Sequence, residues 1–92
     1  MTITVLVSYD IEKETGEVSW MDGKELKLER IRHELSQKDM ADVIGKSVYS
    51  YAKKEQGASS CSEEEMVKIT RKFGLDFHRF NQIFFSGELP NW

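Results

Sequence analysis

The sequence predicts a mainly α fold: five short helices across residues 22–85, a β-hairpin before them over residues 1–21, and an irregular tail over residues 86–92. Three observations predict it. Apolar residues recur at helical spacing in five separate stretches after residue 22. Each stretch opens at a Ser or Asp able to cap free amides, and two of them close on a glycine. Before residue 22 the apolar period changes from helical to two.

In the first segment Ile3, Val5, Val7, Tyr9 and Ile11 alternate with Thr2, Thr4, Ser8 and Asp10, and only Leu6 breaks the pattern. Glu14-Thr15-Gly16-Glu17 is a turn signal, after which Val18 and Trp20 resume the alternation. The spacing predicts Thr2 to Glu12 paired with Glu17 to Met21. A lone two-stranded hairpin is marginal in water. It must therefore lie on the helices or pair with another copy, which makes it a candidate dimerisation element.

Asp22-Gly23-Lys24-Glu25 predicts a capping box opening the first helix. Leu26, Leu28, Ile31 and Leu35 are its expected buried stripe. His33 is expected as a solvated residue at the helix end. Ser36 caps the second helix, Asp39 lies in its first turn where the dipole favours negative charge, and Met40, Val43 and Ile44 give it an apolar face. Ala41 falls on the inner side, where a small residue lets two helix axes approach. Gly45 ends this helix. Ser47 caps a third from Val48 to Glu55, with Val48, Tyr51 and Glu55 on one side and Tyr49, Ala52, Lys53 and Gln56 on the other. Two short helices set steeply about a glycine turn form a helix-turn-helix unit. Gly57 to Cys61 is a loop of small residues. Ser62 and Glu65 form a second capping box, Met66, Ile69, Thr70 and Phe73 line the fourth helix, and Gly74 closes it. Asp76 caps a fifth helix to about Phe84, with Phe77, Phe80, Ile83 and Phe84 expected inward. Leu89 and Trp92 in the tail are expected to fold back onto the body or onto a second subunit.

The 92 residues make one domain. The net charge of −3 argues against a polyanion as partner, yet its distribution argues for one. From Lys24 to Lys54 eight basic residues face five acidic ones, whereas the balance is one against five before Lys24 and four against six after Lys54. Local potential rather than the total governs contact with phosphate.

The ordered string Leu35-Ser36-Gln37, Met40-Ala41, Ile44-Gly45, Ser47, Tyr51, Glu55, Gly57 resembles the core of phage-repressor-type (XRE, lambda-repressor-like) helix-turn-helix proteins. The likeness continues through Met66 to Ile69, Phe73-Gly74-Leu75 and Ile83-Phe84-Phe85, covering roughly residues 26 to 85. Three positions depart from the usual pattern. The connection Ile31 to Leu35 is shorter than the family's, which often includes a glycine. Lys46 and Lys54 stand where apolar residues are usual. Tyr51 replaces a branched aliphatic.

The resemblance implies a sequence-specific regulator of transcription, repressor-like, that binds double-stranded DNA as a homodimer on a palindromic operator. It implies that the third helix enters the major groove, with Ser47, Val48, Tyr49, Ala52 and Lys53 toward base edges and Gln56 on the same face. Lys53 would meet guanine acceptors, and Val48 and Ala52 thymine methyls. Gln37 would anchor to a phosphate, and Lys38, Lys46 and Lys54 would add charge toward the backbone.

No catalytic constellation, cofactor motif or metal-ligand spacing is visible, and the expectation is a non-enzyme without cofactor or metal. A single Cys61 excludes an internal disulfide, fits a reducing cytoplasm, and reads as a small apolar filler. No apolar run approaches the roughly 20 residues needed to span a bilayer. The competing reading is a protein-interaction or antitoxin-like module on the same scaffold, with a protein antagonist or partner docking on it.

Overall fold

A computed structural model describes residues 21–90. The expected hairpin lies outside the described residues, as does Trp92. Five helices follow in order: α1 (Gly23–Arg32), α2 (Gln37–Ile44), α3 (Val48–Glu55), α4 (Glu63–Phe73) and α5 (Phe77–Phe85). Among the described residues there is no strand.

The caps set these boundaries. Asp22 accepts the amides of Lys24 and Glu25. Only that half of the expected box forms, because the Glu25 carboxylate is turned instead to Arg79 on α5, 2.9 Å away. Ser36 and Asp39 cap each other's backbone reciprocally at α2, as do Ser62 and Glu65 at α4. Ser47 and Asp76 cap α3 and α5 through single bonds to Ser50 and Arg79 amides. Gly45 and Gly74 close α2 and α4 in the left-handed conformation, φ 71° and 67°. The short connection after α1 makes the same kind of turn without a glycine: Glu34 itself adopts φ 57°.

α2 packs on α3 and α4, while α1 packs on α3 and α5. Between them lies one core of Leu26, Met40, Ala41, Ile44, Tyr51, Cys61, Ile69, Phe73, Ile83 and Phe84. Cys61 is the expected filler, and burial pushes its thiol up to about 12, leaving it inert near neutrality. At the start of α1, the Asp22 amide donates to the Ile83 carbonyl at 2.7 Å and fixes the chain against α5. In the tail, Asn81 holds both backbone groups of Leu89, at 3.0 and 2.9 Å, so this part of the tail does fold back.

Three side chains are not where the periodicity puts them. Leu28 and Ile31 are 46% and 50% exposed on the outer side of α1. The inner side of that helix is instead Gly23, Leu26 and Glu29, with Arg30 beside them. Phe77 is exposed at the first position of α5, and the inward aromatic there is Phe80, its ring tilted against those of Phe84 and Phe85 at 5.1 and 5.8 Å. His33 is more than a solvated helix end. Its ring packs on Phe73 at 4.8 Å, and Nδ1 donates to the Glu29 carbonyl at 2.9 Å.

Candidate nucleic-acid interface

α2 and α3 are separated by three residues, Gly45, Lys46 and Ser47. The left-handed Gly45 lets the Lys46 amide reach back to the Ala41 carbonyl at 3.0 Å, and Ser47 then restarts the helix in a new direction. Ala41 is buried at the crossing, where a larger side chain would hold the two axes apart.

α3 has two chemically distinct sides. On the inner side Tyr51 is wholly buried, and Glu55 beside it receives three charged or polar donors. Arg30 of α1 gives Nε at 2.6 Å and Nη2 at 3.2 Å, a two-pronged contact, and Gln37 of α2 gives Nε2 at 3.1 Å. Arg30 also donates Nη1 to the Leu35 carbonyl at 2.9 Å. One carboxylate therefore joins α1, the start of α2 and the end of α3. Burial alone would raise Glu55; the hydrogen bonds, led by Arg30, outweigh it and hold the carboxyl below its ordinary value. The Tyr51 hydroxyl lies close to this carboxylate but outside hydrogen-bonding geometry, and burial together with Glu55 pushes the phenol well above its usual range.

A second brace sits at the end of α3. Lys54, expected to face the DNA backbone, is instead 6% exposed, with Nζ donating to the Ser60 carbonyl at 3.0 Å and lying 3.4 Å from Glu65. The correction has a physical reason. Lys54 precedes Glu55 on the inner side of α3, and its charge is accommodated there only because the α4 cap, Glu65, supplies the counter-charge. Its ammonium thus fastens the loop after α3 to the start of α4. Lys46 lies at the edge of the same cluster, 3.9 Å from Glu65 and about half exposed.

The outer side is the one left to a ligand. Ser47, Tyr49 and Gln56 are exposed, and Ala52 and Lys53 are half-buried between them; Val48, expected on the Tyr51 side, is also exposed at the first turn of α3. Tyr49 is 74% exposed. Lys53 Nζ lies 5.3 Å from its ring centroid, so the ammonium is held over the aromatic face. Beside them Gln37 starts α2, and Lys38 pairs with Asp42 one turn on, at 2.9 and 3.0 Å, both fully on the surface. Ser47, Val48, Tyr49, Ala52, Lys53 and Gln56 are all at least partly open to solvent along α3 and its ends, whereas Gln37 is held on Glu55, Lys46 lies near Glu65, Lys38 is paired with Asp42, and Lys54 is turned away.

Arg30 was the residue missed. The signal for it was present: Glu55 shares the Tyr51 side of α3, and an inward carboxylate requires an inward cation nearby. A second missed pairing is Arg79, whose guanidinium meets Glu25 at 2.9 Å and Glu29 at 2.8 Å and ties α5 to α1.

Two helices around a glycine turn, the second held outward and braced from α1 and from the start of α4, define the helix-turn-helix class of nucleic-acid-binding domain. The helix-turn-helix family profile matches residues 26–80, more than half of the chain, and the chain belongs to that family in its XRE, lambda-repressor-like form. It is a family of DNA-binding transcription regulators. No curated protein and no solved structure gives a significant match. Among the described residues no helix is long and apolar enough to cross a membrane.

Proposed function

We propose that the chain is a sequence-specific, repressor-like regulator that reads the major groove of double-stranded DNA with α3, acting as a homodimer on a palindromic operator. One observation carries this reading most directly. Tyr49 and Lys53 stand outward as a stacked pair while Tyr51, Lys54 and Glu55 hold the same helix from behind. In this reading Tyr49, Lys53 and Gln56 face base edges, and Ser47, Val48 and Ala52 line the approach, the latter two offering apolar contact to thymine methyls. Gln37 spends one amide hydrogen on Glu55 and keeps a second for a phosphate. Lys46 and Lys38 add charge beside the backbone; Lys38 must first leave Asp42, an exposed pair that costs little to open.

The test is selection from a random duplex library, followed by titration of the selected sequence. Lys53→Ala is expected to weaken that duplex by about 1–3 kcal/mol while leaving the thermal transition in place. Unchanged affinity would remove α3 from the groove. Failure to bind any duplex, even at low salt, would favour the protein-interaction module instead.

A further inference from the structure

α1 divides its apolar residues between two opposite sides. Leu26 faces the core, whereas Leu28 and Ile31 point to solvent, each about half exposed. Lys24 and Lys27 lie exposed alongside them, so the outer side of α1 is an apolar strip edged by positive charge. This strip is on the side of α1 turned away from the core and from α3, and the DNA-binding reading makes no use of it.

The chain itself contains a complement. Residues 1–20 carry Asp10, Glu12, Glu14 and Glu17 against the single base Lys13, and alternate Ile3, Val5, Val7, Tyr9 and Ile11 with polar residues. They join the body at Met21, which packs against the core, beside Asp22, which is fixed to α5 at the very start of α1. A ten-residue helix is about 15 Å long. Ten residues of extended chain reach about 33 Å, so the segment can turn back along α1 with length to spare.

We propose that residues 2–12 of the same chain dock on the outer side of α1, their alternating apolar residues covering Leu28 and Ile31 and their carboxylates meeting Lys24 and Lys27. The strip is then an intramolecular seam, and the amino-terminal segment belongs to its own domain rather than to a second copy.

Amide hydrogen exchange on the full chain tests this. In the parent, amides between Ile3 and Ile11 are expected to exchange at least about tenfold more slowly than in an unstructured peptide, independently of protein concentration. Leu28→Glu with Ile31→Glu is expected to return them to the peptide rate while the amides of Leu26, Ile69 and Ile83 stay protected. Should that pair of substitutions loosen the core, Lys24→Glu with Lys27→Glu carries the test, with the same segment-specific acceleration expected. Peptide-like rates in the parent would overturn the proposal. So would protection that survives both variants, or protection that grows with protein concentration, which would place the segment on another copy.

Discussion

The most constrained residue is Gly23, and its constraint comes from a close approach rather than from its backbone angles. A Cβ there would strike the carbonyls of Glu55 and Lys54, coming within 2.6 Å of the latter. The first turn of α1 thus lies directly on the last turn of α3, with no room for a methyl group between them. Helix propensity alone favours Gly23→Ala by about 1 kcal/mol. Backbone oxygens cannot step aside as a flexible side chain would, so the clash is expected to win, and urea titration should show a net loss of about 1–3 kcal/mol. A raised unfolding midpoint would mean that α1 does not lie against α3 in this way. The consequence reaches function, since the α3 carbonyls involved belong to the residues whose side chains make both braces.

At the scale of elements, α3 is held by two carboxylates, and both are acid-sensitive. For Glu55 and for Glu65 burial acts to raise the pKa, and hydrogen bonds and neighbouring cations reverse it, leaving each below the ordinary value of 4.5. The native form therefore binds these protons less readily than the unfolded chain does. The stability they contribute is complete above about 4.5 and is lost as the pH falls through their lower native values. Urea midpoints are expected to hold steady from neutrality to about pH 5 and to fall below it. Glu55→Gln should lower the neutral midpoint and flatten the acid limb; an acid limb as steep as the parent's would assign the drop to other groups. This bracing also explains what could be read from the chain. Caps and glycine turns are local, so Asp22, Ser36, Ser47, Ser62, Asp76, Gly45 and Gly74 announce all five helix starts and two ends without reference to the rest of the molecule. Which side of a helix faces inward is decided elsewhere. Leu28 and Ile31 satisfy the helical period as well as Leu26 does, but α1 has polar inward partners in Glu29 and Arg30, fixed by Arg79 and Glu55 far along the chain. Lys54 was misplaced for the same reason: a buried ammonium is legible only once Glu65 and the Ser60 carbonyl are known to lie next to it. Of the interface, the exposed side of α3 was legible because Tyr51 and Glu55 mark its opposite.

For the whole molecule, the question is how a chain of net charge −3 approaches a polyanion. The cations available on the α2–α3 side are Lys38, Lys46 and Lys53, because Lys54 is neutralised within the fold. Two protomers offer six such lysines. Each phosphate neutralised contributes about 0.9 to the fall of log affinity with log salt, so a dimer is expected to show a slope no steeper than about −5. The geometry adds an independent requirement. One α3 covers only a few base pairs, and two related by a two-fold axis read half-sites about 34 Å apart on one side of the duplex. Inserting half a helical turn between the half-sites of a selected operator rotates one of them to the far side. The expected outcome is loss of joint occupancy, with each half-site bound independently and more weakly, read by footprinting across a protein titration. Equal occupancy before and after the insertion would show that each protomer binds alone. A slope much steeper than −5 would show that cations outside the α2–α3 side, Lys24 and Lys27 first among them, also meet phosphate; those two could not then be covered by the amino-terminal segment in the bound state.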